Sequence, residues 1–375
     1  MIKTARIVST GSYLPGVPLS NADMERLAGP VPDDILEGIQ VKQRHWLIDP
    51  ETGAHLESNS DLASKAAKEA LELGGVDASE VDLIILSTAS PEYHLPPLVT
   101  FVQDRLGLER CATVEIRSGC CGYVEAMDVA RMYLERGEYD TALVIGSEAI
   151  SPLLYPIFRD KDPESIRMRD RVVVYGFGDA GAAALLRAFD DGEGFLGSAM
   201  ACVGGGRKAG MQVIGGGTHA PLHEQLAAKR LVELKVDVIE SGKFTPYVLT
   251  EALAAILART GAAAESIDLC LIPEGNAPYM TDELREAGLL TPEWLALEPK
   301  IFENLALVGA TGSAAAPLCL DHAWKTGKVK QGDRVMLLAI ETSKWKYAGT
   351  VFPWTAAPHP AGTPLAGAGA EPRSR

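Results

Sequence analysis

The chain has 375 residues, 23% of them charged and 47% from the apolar set AVILMFWYC, enough for one large core or two mid-sized ones. Its net charge of −15 argues against a general affinity for nucleic acid or an anionic membrane. The opening "MIKTARIVSTG" lacks the layout of a secretion signal, and runs such as "VDLIIL" are too short to span a bilayer.

In chain order, the first element defined by periodicity is an amphipathic helix. Ala63, Ala66, Ala67, Ala70 and Leu71 keep the i, i+3, i+4, i+7, i+8 rhythm of one buried face. A glycine, an acidic residue and the apolar strand "VDLIIL" follow. The stretch "VEIRSGCCGYVEAM" then predicts a strand handing over to a buried helix that starts near Cys120 and runs toward Glu135. Next, "ARMYLERGEYDTALVIGSE" reads as helix, glycine turn and apolar strand, and "VVVYGFGDAGAAALL", Val172 to Leu186, as a strand packed through its glycines.

The pattern then returns. Leu249, Ala252, Leu253, Ile256 and Leu257 form a second amphipathic face, followed by "LARTGAAAESIDLCLI". "GATGSAAAPLCLDHAW" opens a second buried helix near Gly312, and "DHAWKTGKVKQGDRVMLLAIETS" repeats helix, turn and strand. Strands that are apolar throughout are covered on both faces, so the expectation is a layered α/β fold made by tandem duplication. The halves are placed at 1–175 and 176–354, their buried helix starts meeting near the centre. Residues 355–375, rich in Pro, Ala and Gly, are expected to be a disordered tail.

The six cysteines, Cys111, Cys120, Cys121, Cys202, Cys270 and Cys319, show no zinc spacing. They point to a reduced, cytosolic protein without a metal site. The adjacent pair at the predicted strand-to-helix junction is different. A helix N-terminus stabilises a thiolate and lowers its pKa, and its N–H groups can hold the oxyanion of an attacked thioester. Successive helix positions lie about 100° apart, so one cysteine faces the opening and the other packs. The bland alternative makes both small core residues.

These features resemble the β-ketoacyl-ACP synthase III branch of the thiolase superfamily, over Ile2 to Trp354. "EIRSGCCGY" resembles its nucleophile motif, which implies Cys120 as nucleophile and Cys121 as the variable position. "FGDAGAAALL" resembles the glycine-rich opening of its second half. "SPEYHLPPLVTFVQDRLGL" resembles its dimer-interface loop, implying that Leu95 enters the partner's acyl pocket. The resemblance implies a five-layered α/β/α/β/α thiolase-like fold, a homodimer, and acyl-CoA or acyl carrier protein as the donor substrate rather than a bound cofactor.

Several positions depart from that family. Its catalytic histidine is replaced by Glu274, and the asparagine of its Gly-Asn-Thr motif by Ala310. An ionised glutamate only accepts hydrogen bonds and alanine makes none, while losing one oxyanion donor costs about 3–4 kcal/mol. Asn276 and Ser343 are possible auxiliaries. At the CoA-stacking tryptophan stand Asp34 or Ile35, with Trp46 further on, and at an arginine stands Tyr279. The helix "TDELREAGLL" is acidic where the family carries basic residues for a carrier protein. Arg207-Lys208 and Lys229-Arg230 are candidate replacements. His94 adjoins the dimer loop, and His219 and His223 lie in a segment read as a mobile cover. The expected function is an acyltransferase of secondary metabolism. It would move an acyl group through acyl-Cys120 to a small hydroxyl or amine acceptor, with Glu274 as general base. The alternatives are a carbon–carbon condensing synthase, decarboxylative or Claisen type, and a silent subunit of a heteromeric synthase.

Overall fold

The computed structural model describes residues 3–227 and 233–359. The first sheet contains β1 (Thr4–Tyr13), β2 (Leu83–Ser87), β3 (Ala112–Ile116), β4 (Thr141–Glu148) and β5 (Ala180–Phe189), in the order β1-β5-β4-β2-β3. The second contains β6 (Gly197–Cys202), β7 (Leu269–Leu271), β8 (Ile301–Phe302), β9 (Arg334–Glu341) and β10 (Lys346–Pro353), in the order β8-β7-β9-β10-β6. Each sheet therefore repeats one plan, with its second strand parallel to its third and fourth and the remaining pairs antiparallel. The duplication read from the sequence is the architecture.

Side-chain alternation along the strands builds the layers. Ile84 and Leu86 of β2 pack against the outer helix α1 (Asn59–Gly74), which contributes Ala63, Ala66, Ala67, Ala70 and Leu71. Leu83 and Ile85 point the other way, into the layer between the sheets. That layer holds α2 (Gly122–Glu135) and α4 (Ala315–Lys325), and both helices pack within one core with strands of both sheets. On the far side, α3 (Val238–Thr260) covers the second sheet with Leu249, Ala252, Leu253 and Ile256 buried and Leu257 half-buried. Both outer helices stop at a left-handed glycine, Gly75 at φ 61° and Gly261 at φ 65°. The centre is tight: a Cβ on Gly146 of β4 would lie 2.0 Å from the Ser313 carbonyl oxygen just before α4.

The structure corrects the boundary between the halves. Val172 to Gly176 is the end of a helix, Met168–Gly176, and only Ala180 onward is strand. That strand, β5, pairs with β1 and β4, so the first half extends to Phe189, beyond the expected 175. The tail also begins later than residue 355. Ala356 is buried, Thr355 Oγ1 donates to the Ile7 carbonyl at 2.6 Å, and Trp324 Nε1 donates to the Ala357 carbonyl at 2.9 Å. Residues 360–375 lie outside the described residues. No helix among the described residues is long and apolar enough to cross a membrane.

Candidate active site

Cys121 is the N-cap of α2, and Cys120 sits in the turn just before it. Gly122 closes that turn by donating its N–H to the Gly119 carbonyl at 2.8 Å. A Cβ on Gly122 would fall 1.8 Å from Ser87 Oγ, so only glycine lets the turn approach β2. The two sulfurs face different ways. Cys121 is fully buried and its Sγ contacts the Ala339 carbonyl at 3.4 Å, whereas Cys120 is half-buried on the wall of a cavity.

The cavity encloses about 310 Å³ and brings Cys120 together with Glu274, Ala310, Thr311, Ile340 and Thr342. Glu274 follows β7, and its Oε1 accepts the Ile340 N–H at 2.9 Å. Its Oε2 is buried and has no hydrogen-bond partner among the described residues. Burial pushes the Glu274 carboxyl up to about 8, against which the Ile340 N–H pulls only in part. Cys120 departs from expectation in the opposite sense from a helix-start thiol. Burial first, then the carboxylates of Glu274, Glu341 and Glu148, raise its pKa well above the ordinary thiol value. Near neutral pH Cys120 therefore rests as a thiol, and Glu274 is mostly protonated with an ionised fraction that grows as pH rises toward about 8.

The family model for 3-oxoacyl-[acyl-carrier-protein] synthase III matches residues 114–204, and its C-terminal model matches 257–352. The β-ketoacyl-[acyl-carrier-protein] synthase III of Caldanaerobacter subterraneus subsp. tengcongensis is 30% identical over 351 residues, covering 94% of this chain and 98% of that protein. The chain belongs to the β-ketoacyl-ACP synthase III family. Among solved structures, the Aquifex aeolicus synthase III superposes with a TM-score of 0.74 at 25% identity, covering 93% of this chain and 99% of that one. AbyA1, a tetronic acid condensing enzyme, superposes at 0.76 with 26% identity, covering 93% and 100%.

Ala310 and Glu274, which stand where the resemblance implies an asparagine and a histidine, both line the cavity. Asn276 does not line it. Its Oδ1 accepts the Tyr279 N–H at 2.9 Å, capping the helix Ala277–Glu286, and its Nδ2 donates to Gln40 Oε1 at 2.6 Å. Ser343 donates its hydroxyl to Glu341. Trp46 is buried, stacked on Phe158 with ring centroids 5.8 Å apart, so it cannot hold a nucleotide. Asp34 is exposed and Ile35 half-buried on the short helix Asp33–Ile39.

Leu95 is 80% exposed and Tyr93 59% exposed, on a loop outside this cavity. The loop residues Tyr93 and His94 line a separate groove of about 580 Å³. His219 is exposed in a turn and His223 exposed on the helix Leu222–Ala227, so they do not share a helix. Met211 and Val236, on the antiparallel strands Met211–Ile214 and Glu233–Val236, line the cavity. Arg207 pairs with Glu240 and stacks over Phe244 at 3.7 Å, and Lys208 is exposed. Lys229-Arg230 lie outside the described residues.

Sequence reading missed two residues. Glu148 ends β4 and Glu341 ends β9, at corresponding places in the two halves, and both are buried. Glu148 Oε2 accepts the N–H of Ser313 at 3.0 Å, and Glu341 Oε2 accepts that of Gly119 at 2.9 Å. Each half's strand thus caps the turn that opens the other half's buried helix. The available signal was the matching glutamate in "IGSE" and "AIETS".

Proposed function

We propose that this synthase III-type chain is an acyltransferase working through acyl-Cys120, with Glu274 shuttling the protons. In the first half-reaction Sγ of Cys120 attacks the carbonyl of an acyl-CoA or acyl-carrier thioester, and its proton passes to ionised Glu274. The new C–S bond forms, the old one breaks, and Glu274 returns the proton to the departing sulfur. In the second half-reaction the hydroxyl or amine of a small acceptor gives its proton to Glu274 and attacks acyl-Cys120. Glu274 then protonates the released cysteine sulfur. A carboxyl pushed up to about 8 suits both directions of transfer near neutral pH. The observation that carries this reading is that Glu274 and Ala310 line one cavity with Cys120, where decarboxylative condensation needs two donors.

A second reading is favoured by AbyA1, whose description as a tetronic acid condensing enzyme points to a condensation reaction. Neutral Glu274 carries a proton it could donate to an enolate oxygen. Both readings place the chain in natural-product chemistry in the cytoplasm, as a homodimer whose second copy covers the exposed Leu95 loop.

The test is intact-protein mass spectrometry after incubation with a panel of acyl-CoA and acyl-carrier thioesters. Wild type should gain an acyl mass that Cys120→Ala does not. The loaded protein is then offered alcohols, amines and β-keto thioesters, and the products are identified. An ester or amide supports acyl transfer, and a carbon-linked product supports condensation. No adduct with any donor would sink both and favour a silent subunit.

A further inference from the structure

We infer that Glu341 is the positioning residue of the nucleophile turn: it fixes Ser118 and Gly119 from the opposite half of the chain and sets a negative charge beside Cys120. The inference rests on Cys120 being the nucleophile of the proposed function. Its structural basis is a set of bonds that converge on one carboxylate. Oε2 accepts the Gly119 N–H at 2.9 Å and the Ser118 hydroxyl at 3.1 Å. Oε1 accepts the Ser343 hydroxyl. Gly119 immediately precedes Cys120, so the bond to its N–H governs where Sγ stands. A Cβ at Gly119 would meet Glu341 Cδ at 3.3 Å, which leaves little slack for the carboxylate to move.

The surrounding charges fit this role. From β10, Lys346 Nζ contacts Glu125 of α2 at 2.6 Å and Ser118 Oγ at 2.7 Å, so this cation braces the turn from its other side. Glu274 lines the same cavity as Cys120, and Glu148, at the end of β4, accepts the Ser313 N–H at 3.0 Å. Cys121, buried behind Cys120, adds no fixed charge. Burial first, and then Glu274, Glu341 and Glu148, keep Cys120 from standing as a thiolate. The thiol loses its proton only when a partner takes it, which couples attack on the thioester to proton transfer onto Glu274. Glu341 would thus enforce that coupling as well as the geometry.

The experiment is iodoacetamide alkylation of Cys120 from pH 6 to 10, read by peptide mass spectrometry on wild type, Glu341→Gln and Glu341→Asp. It needs no acyl donor, so it stands whether or not the acyltransferase reading does. Glu341→Gln keeps an acceptor for Gly119 but removes the charge, and its alkylation midpoint should move to lower pH, giving about tenfold faster alkylation below both midpoints. Glu341→Asp keeps the charge one methylene further back, and its midpoint should stay close to wild type. A role in packing alone would alter the limiting rate of both variants without separating their midpoints. An unshifted Gln profile, or an Asp profile displaced as far as that of Gln, overturns the inference. If the Gln variant does not fold, Glu341→Ala takes its place as the charge-removing variant: the same shift to lower pH is expected, and an unshifted profile overturns the inference.

Discussion

Glu274 shows how burial, more than residue type, assigns a chemical role. On the surface a glutamate is ionised at neutral pH and repels any developing anion. Here, enclosed and bonded through one oxygen to Ile340 N–H, it holds its proton up to about 8. The discharge of acyl-Cys120 onto a hydroxyl should therefore rise with pH and level off near 8. Glu274→Gln should flatten that profile and slow discharge by about 10²–10⁴-fold. Stopped-flow discharge at several pH values checks both. The same group makes a stability prediction. Its folded pKa is raised above the ordinary 4.5, so its favourable contribution is fully present below 4.5 and is lost as pH rises through about 8. Denaturant unfolding from pH 5 to 8 should show wild type losing stability relative to Glu274→Gln; parallel curves would contradict the assignment.

At the scale of elements, what could be read from sequence divides by distance along the chain. The helical faces of α1 and α3 and their terminal glycines were legible because the periodicity and the cap lie within one window. Val172–Gly176 was misread as strand because a short apolar, β-branched run gives no period to decide between strand and helix. Its burial against Ile39 and neighbouring core residues settles it as helix. The pKa of Cys120 was misjudged for a related reason: the helix start was visible locally, but the burial of the thiol and then Glu274, Glu341 and Glu148 come from elsewhere in the chain. Gly146 tests how closely β4 must meet the turn before α4. A methyl there would collide with the Ser313 carbonyl, and Gly146→Ala should cost about 1–3 kcal/mol, measured as a lower urea midpoint at unchanged slope. A neutral substitution would mean that the turn yields easily.

For the whole molecule, the two sheets with the same strand order and the helices α2 and α4 between them place the cavity where the halves meet. On the loop with Tyr93, Leu95 is 80% exposed, an apolar side chain that the second copy of the proposed homodimer would cover. Leu95→Asp should weaken self-association at least tenfold in sedimentation velocity; a wild-type chain that is monomeric at every concentration would refute the dimer. The sequence reading anticipated the fold, since the repeat is written in contiguous segments, and it named Cys120 and Glu274, which line one cavity. It did not anticipate the crossed glutamates, because no periodicity links positions in different halves.

Those crossed bonds carry a consequence for how the chain can change over generations. The turn that carries Cys120 is held by a residue from the other copy of the ancestral unit, and the return bond runs from Glu148 to Ser313. Neither unit can be exchanged for a foreign one without bringing its matching glutamate along. A chimaera whose foreign half lacks that glutamate would keep its strands yet open the turn it should hold, so the two halves are bound to diverge in step.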